Sequence, residues 1–124
     1  MKAESAAFLQ KAREFLAKAR NQLEVMNYND EAGRAAYLAG LHAAQALIFE
    51  RTDKVIKRHR GVHAELRRLT EDEPRFDPEL RAFLARAYNL KTVADYETKP
   101  SSRVSAELAR ATIEAAIRFV GLLA

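Results

Sequence analysis

A nearly continuous apolar stretch from Ala35 to Phe49 constrains the fold of this chain more than any other feature. The stretch is 15 residues long, and only His42 and Gln45 interrupt it. A helix that is apolar on almost every side has to be covered on several sides. Because the stretch falls short of the roughly 20 residues that span a bilayer, it predicts a buried helix and not a transmembrane segment. We therefore expect a soluble, cytoplasmic protein.

The composition favours a protein built from helices alone. Alanine makes up 24 of the 124 residues, whereas only six valines and four isoleucines occur. This mixture suits helices and disfavours sheets. Because alanine fills little volume, the helices must approach closely or share surface with a second copy, so we expect a homodimer. The absence of cysteine excludes disulfides and thiolate metal sites.

Apolar residues at a spacing of three to four predict five helices. The predicted ranges are about Glu4–Met26, Glu31–Arg51, Val62–Leu69, a fourth helix from Asp77-Pro78 to the break at Lys99-Pro100-Ser101-Ser102, and Arg103–Leu122. Asn29 or Asp30 is expected to cap the second helix, and Gly61 to start the third. The sequence thus predicts an all-α fold, an antiparallel up-and-down bundle of four long helices plus one short helix, in one domain over residues 1–124.

A ridge of mostly small residues runs along the second predicted helix. Its members are Gly33, Ala36, Gly40, Ala43 and Leu47. Each glycine inside a helix costs about 1 kcal/mol relative to alanine. Close approach of another helix would compensate for this cost, so the ridge predicts a tight helix–helix contact.

Positive charge is concentrated in one segment of the chain. The formal net charge is +4, and the stretch from Arg51 to Leu69 contains seven Lys and Arg residues but only two acidic ones. His59 and His63 lie in the same stretch. Such a cluster is either a phosphate-binding patch or a solvated basic loop.

The segment from Lys57 to His63 contains the groups that metal-independent RNA cleavage requires. That reaction needs a base for the 2′-hydroxyl, an acid for the leaving oxygen and a cation for the phosphorane. His59 and His63 are the candidates for proton transfer, and neighbouring arginines could hold phosphate. The sequence contains no phosphate-binding glycine loop and no His-Glu-x-x-His motif, so we expect neither a metal nor a cofactor.

Two further features have a structural and a functional interpretation. His42 interrupts the apolar helix and must find a hydrogen-bond partner, which makes a packed core or interface histidine the simplest interpretation. Lys91 and Asp95 are four residues apart and can form an ion pair on one helix face. Such a pair either supports a subunit interface or contributes to a site.

Three blocks of the sequence resemble the HEPN family of small helical domains. They are Arg34-Ala35-Ala36-Tyr37 with Leu41-His42-Ala43-Ala44 and Ala46-Leu47, then Lys57-Arg58-His59-Arg60-Gly61-Val62, and finally Leu90-Lys91 with Ala94-Asp95-Tyr96. The resemblance covers roughly residues 27–97. It points to the less characterised branch whose fourth-helix signature is similar to Leu-Arg-x-x-x-Asp-Tyr.

The resemblance implies a dimeric helical bundle in a prokaryotic setting, often paired with a small nucleotidyltransferase as a toxin–antitoxin system. Ribonuclease members carry an Arg followed four to six residues later by His, late in the bundle. Here Lys91 stands where that Arg would be, and no histidine occurs between Arg81 and Ala124. The resemblance therefore disfavours ribonuclease activity. A tyrosine near this motif is adenylated in some relatives, and Tyr96 occupies a similar place.

The sequence as a whole favours a non-catalytic or weakly active module that binds a nucleotide, RNA or a nucleotidyltransferase partner. The predicted binding groove is lined by Tyr37, His42, His59, Lys91, Asp95 and Tyr96, with positive charge from Lys57, Arg58 and Arg60. One alternative is a metal-independent ribonuclease with an atypical site around His59 and His63. Another is a purely structural dimerisation bundle.

Overall fold

A computed structural model describes residues 1–96, 98 and 103–124 of the chain. Its described residues form six helices, with no strand among them. The helices are α1 (Ala3–Glu24), α2 (Asn29–Thr52), α3 (His59–Thr70), α4 (Pro78–Arg81), α5 (Phe83–Tyr96) and α6 (Ala106–Leu123). The protein is therefore all-α, as the composition and the periodicity predict.

The fourth predicted helix is divided into two. Asp77 caps α4 as expected, because its Oδ1 accepts a hydrogen bond of 2.9 Å from the backbone N–H of Leu80. A single turn residue, Ala82, with φ −86° and ψ −5°, then interrupts the helix before α5 begins at Phe83. The prediction of one continuous helix is wrong at this point, and the described residues form six helices instead of five.

The start of α2 also differs from the prediction. Asn29 and Asp30 lie in the first turn, and Tyr28 occupies the capping position without a side-chain cap. Asp30 instead accepts a hydrogen bond of 2.8 Å from the backbone N–H of Val104. Its carboxylate therefore ties the start of α2 to the segment that precedes α6.

Helix α3 begins at His59, three residues before the predicted start. The backbone N–H of Val62 already donates to the carbonyl of Arg58 at 2.9 Å, so Gly61 lies inside the first turn and does not start the helix. Ser105 caps α6 through Leu108 N–H at 3.1 Å. The break expected at Lys99-Pro100-Ser101-Ser102 lies outside the described residues.

The apolar helix α2 is the centre of the bundle and packs against α1, α3, α5 and α6. Its glycines face α5. A Cβ on Gly40 would lie only 2.5 Å from Cε2 of Phe83, whereas a Cβ on Gly33 would lie 3.5 Å from Cβ of Leu90. The absence of a side chain at Gly40 is therefore what lets α5 lie so close to α2.

None of the helices in residues 1–96 and 103–124 is both long enough and apolar enough to cross a bilayer.

Candidate functional site

The hydroxyl of Tyr37 is the centre of a polar cluster between α2 and α3. It lies 2.8 Å from Nδ1 of His59 and 2.9 Å from Nε2 of His63. The side chain of Tyr37 is completely buried. The two histidines are four residues apart on α3, so they lie on one face of that helix. The first turn of α3 thus holds both imidazole rings against one phenol.

A second tyrosine, Tyr88 of α5, closes this cluster. Its ring centre lies 5.4 Å from that of Tyr37, 5.7 Å from that of His59 and 5.9 Å from that of His63. Tyr88 remains 37% exposed. We call Tyr37, His59, His63 and Tyr88 the Tyr–His cluster.

An ion-pair network lies beside the Tyr–His cluster. The carboxylate of Asp95 accepts from Lys91 Nζ at 2.7 Å and from Arg34 Nε at 2.9 Å. The Lys91 ammonium lies 5.9 Å from the ring centre of Tyr88 and 6.0 Å from that of Tyr96. One carboxylate therefore pairs with two cations, which leaves an excess of positive charge, and one of these cations, Lys91, lies over the rings of Tyr88 and Tyr96.

Asp95 and Lys91 are both charged at neutral pH. The hydrogen bond to Lys91 is the main reason why the pKa of Asp95 lies below its usual range, with a smaller contribution from Arg34. The hydrogen bond to Asp95 likewise raises the pKa of Lys91.

The two histidines of the Tyr–His cluster are mainly uncharged at pH 7. Burial is the main cause that lowers the pKa of His59, and the charge of Lys91 adds to it. Burial also lowers the pKa of His63, together with the charges of His59 and Arg67. Burial raises the pKa of the Tyr37 phenol, so its hydroxyl keeps its proton. The histidines can accept protons, and the phenol can donate a hydrogen bond.

A cleft of about 350 Å³ opens next to the Tyr–His cluster. Its lining residues are His59, Arg60, His63, Ala85, Tyr88 and Asn89. Arg60 is exposed, and so are Lys57 and Arg58 immediately before α3. Backbone N–H groups at the start of a helix favour anions, and the first turn of α3 contains no acidic residue. The cleft is therefore positively charged and can accept an anionic ligand.

The sequence blocks that are separated along the chain meet around the ring of Tyr88. Tyr37, His59 and Lys91 come one from each block. The sequence profile described as the HEPN domain matches residues 5–123, nearly the whole chain. The chain belongs to the HEPN domain family. Membership indicates a function related to nucleotides or RNA, a class often found in toxin–antitoxin systems. No curated protein matches the chain.

The HEPN domain brings together most of the predicted site residues. Tyr37 and His59 lie in the Tyr–His cluster, while Lys91, Asp95 and Tyr96 lie beside it. Lys57 and Arg58 lie exposed in the connector that leads into α3. His63, predicted only as a catalytic candidate, shares the phenol with His59.

His42 is held by different partners. Its Nδ1 donates to Oε1 of Gln45 at 2.7 Å, and Nε2 of Gln45 donates to the carbonyl of Ile56 at 2.9 Å. Its ring stacks on Phe15, with centres 5.4 Å apart. Gln45 therefore ties the connector before α3 to α2, and His42 packs beside Gln45 and against Phe15, which agrees with the interpretation as a packed histidine.

Three residues of the site were not predicted from the sequence, namely Tyr88, Arg34 and Asn89. Tyr88 was detectable, because it precedes Lys91 by three residues on the same helix face. Arg34 similarly precedes Tyr37 by three residues. Among the described residues, no group of three or more His, Cys, Asp or Glu side chains could hold a metal ion.

The histidines make the stability of this HEPN domain dependent on pH. Burial is the largest cause that lowers the pKa values of His42, His59 and His63 below 6.5. The unfolded chain therefore binds more protons as the pH falls below about 6.5. We expect the urea concentration at the midpoint of unfolding to decrease as the pH is lowered from 7.5 to 5. A variant with all three histidines changed to Gln should lose stability only at the lower pH where carboxylates such as Asp95 titrate. An equal loss of stability in the wild type and in the triple variant would contradict the assignment of the pH dependence to the histidines.

Proposed function

We propose that this HEPN domain is an RNA-binding module, non-catalytic or weakly active, that holds single-stranded RNA in the cleft beside the Tyr–His cluster. The observation that carries the proposal is the position of the partly exposed Tyr88 ring between Lys91 and the histidines of α3. This arrangement offers a stacking surface next to positive charge. Both are what single-stranded nucleic acids require of a sequence-tolerant binding site.

The charge of the cleft supports a polyanionic ligand. Arg60 lines the cleft, and Lys57 and Arg58 are exposed in the connector that leads into α3. Arg34 and Lys91 add two cations that share only the one carboxylate of Asp95. Binding of RNA phosphates by such groups releases counterions, which makes the affinity depend on salt.

The aromatic residues support a ligand with unpaired bases. Tyr88 is 37% exposed and Tyr96 is 76% exposed, although both are large and partly apolar. Each base stacked on an aromatic ring contributes about 1–3 kcal/mol to binding. The two ring centres lie 5.9 Å and 6.0 Å from the Lys91 ammonium, so a base and a neighbouring phosphate can be bound together.

Neutralising the cations at the start of α3 tests the RNA-binding proposal. We expect the triple change Lys57→Ala, Arg58→Ala and Arg60→Ala to weaken binding of a fluorescent single-stranded RNA on the order of tenfold. We also expect the slope of log affinity against log salt to fall by about 2, because about 0.7 of a counterion is released per phosphate contact. Fluorescence anisotropy at several salt concentrations measures both quantities.

A matched control removes the same three charges elsewhere. Lys11, Arg13 and Arg20 are exposed on α1 and have the same composition of one Lys and two Arg. Their replacement by Ala should leave the RNA affinity within about twofold of that of the wild type. This small change is the long-range effect of the lower net charge. Equal losses in the two triple variants would mean that binding is non-specific attraction, and the cleft would not be the RNA site.

A ribonuclease is the second candidate, and the shared contact of His59 and His63 with Tyr37 favours it. Two imidazoles in one cleft could supply a base and, when one of them is protonated, an acid. RNA recovered from the binding mixtures under metal-free conditions should remain intact under the leading proposal. Cleavage that disappears in His59→Ala or His63→Ala would replace the binding module with this second function.

The assembly partners are part of the same proposal. The homodimer, the small nucleotidyltransferase partner and the toxin–antitoxin setting stay predictions of the sequence. A cleft of about 360 Å³ between α5 and α6, lined mainly by apolar residues and bordered by the half-exposed Leu108, is compatible with a further contact surface.

A further inference from the structure

We infer that Tyr37 couples the protonation of His59 and His63, so that the three side chains act as one proton relay. The phenol is the only group placed by the described residues within hydrogen-bond distance of both rings, at 2.8 Å and 2.9 Å. The relay is a property of the protein alone and does not require RNA. Its use in catalysis rests on the second candidate function given above.

The single proton of the phenol links the states of the two rings. When Tyr37 donates to Nδ1 of His59, its oxygen can accept only from a protonated Nε2 of His63. When it donates to Nε2 of His63, Nδ1 of His59 must carry a proton. Both neutral rings therefore carry their proton on the same kind of nitrogen, either both on Nε2 or both on Nδ1.

The outer nitrogens of the two rings consequently have opposite roles. In the first state, Nε2 of His59 is a donor and Nδ1 of His63 is an acceptor. In the second state, these roles are exchanged. The outer nitrogens of the neutral cluster thus always include one hydrogen-bond donor and one hydrogen-bond acceptor. Because both rings line the same cleft, a ligand there can meet the two roles together.

A proton accepted at one ring can be released from the other. Protonation of His59 at Nε2 gives an imidazolium whose Nδ1–H donates to the Tyr37 oxygen. That proton moves to the phenol oxygen as the phenol proton moves to Nε2 of His63. His59 becomes neutral, and His63 becomes the imidazolium that can release a proton from Nδ1. One proton enters and one leaves, and the phenol is unchanged.

The relay accommodates one added proton much better than two. With both rings charged, two N–H donors face the phenol oxygen, and the buried phenol proton loses its acceptor. The charged and titratable groups around the relay are Tyr37 and His42 from α2, Arg60 and Arg67 from α3, Arg81 from α4, and Tyr88 and Lys91 from α5. The cations among them oppose a second positive charge still further. The pair should therefore titrate in two separated steps.

Titration of the Tyr37→Phe variant tests the relay. Long-range ¹H–¹⁵N spectra of the imidazole rings follow both histidines in the folded protein as the pH is lowered. In the wild type, we expect the first proton to be divided between His59 and His63. In Tyr37→Phe, we expect the ratio between the proton affinities of the first and second steps to decrease by about tenfold. The reason is that this variant has no phenol proton that could lose its acceptor.

Tyr88→Phe is the matched control, since it removes a hydroxyl from the neighbouring ring of the same cluster. It should leave the gap between the two steps unchanged. A gap that narrows equally in both variants, or in neither, would overturn the relay. The titration does not involve RNA, so failure of the RNA-binding proposal would leave the outcome of the titration unaffected.

A second variant keeps the test decisive when Tyr37→Phe does not fold. In His63→Leu, the first proton can no longer be divided, so His59 should take the whole proton in a single step. The change in its ¹⁵N shifts during the first step should then exceed that of the wild type. If His59 of the wild type already takes a whole proton while His63 stays neutral, the two rings are not coupled through Tyr37.

Discussion

Replacing Phe119 with alanine is expected to reduce the free energy of unfolding by about 3–5 kcal/mol, the usual cost of removing a buried phenyl ring. Phe119 of α6 is 1% exposed, and its ring centre lies 5.0 Å from that of Phe83 and 6.2 Å from that of Phe76. The ring joins α6 to α5 and to the loop before α4. Its removal would leave a cavity at the point where these segments meet. Urea unfolding at pH 7.5 measures the loss.

Phe49→Ala is the control for this prediction. Phe49 lies in the last turn of α2 and is only partly buried, so the same change removes fewer contacts. We expect a loss of about 1–2 kcal/mol, in proportion to the smaller apolar area taken out of water. Equal losses in the two variants would show that Phe119 is not a central packing residue of the bundle.

The helical character of the fold could be predicted because it depends on local residue preferences and on spacing. The positions of helix ends depend on non-local contacts, which the sequence does not display. Asn29 or Asp30 was expected to cap α2, but the carboxylate of Asp30 accepts from the backbone of Val104, 74 residues away. Arg81 was placed inside a long helix, whereas its guanidinium donates to the carbonyls of Thr70, Glu73 and Phe76. These contacts accompany the end of α4 at Arg81.

The residue types of the candidate site were predictable, but their arrangement was not. A basic segment with two histidines is visible in the sequence, and so is the ion pair of Lys91 with Asp95. The contact between Tyr37 and both histidines is not visible, because 22 and 26 residues separate these positions along the chain. Tyr37 has the appearance of an ordinary core aromatic in an alanine-rich helix. Only the packing of α3 on α2 gives its hydroxyl two partners.

Gly40→Ala is expected to lower the free energy of unfolding, whereas Gly33→Ala is expected to raise it. Alanine is favoured over glycine in a helix by about 1 kcal/mol at either position. At Gly33 the new Cβ would meet Leu90 at an ordinary 3.5 Å, so the gain remains. At Gly40 it would lie 2.5 Å from the ring of Phe83, and such overpacking costs about 1–3 kcal/mol. Urea unfolding should separate the two variants by about 1–3 kcal/mol, the cost of the overpacking, because the gain in helix propensity is common to both.

The strain at Gly40 should depend on Phe119, since the ring of Phe83 lies between them. In Phe119→Ala, Phe83 can move into the vacated space, so adding Gly40→Ala should cost less than it does in the wild type. A double-mutant cycle should show a coupling of about 1 kcal/mol or more. If the losses of stability in the two single variants add up in the double variant, the new side chain at position 40 is accommodated by a shift of the whole of α5 and not by movement of the Phe83 ring. Such a shift would carry Tyr88 away from Tyr37. RNA binding would then be weaker in Gly40→Ala but not in Gly33→Ala.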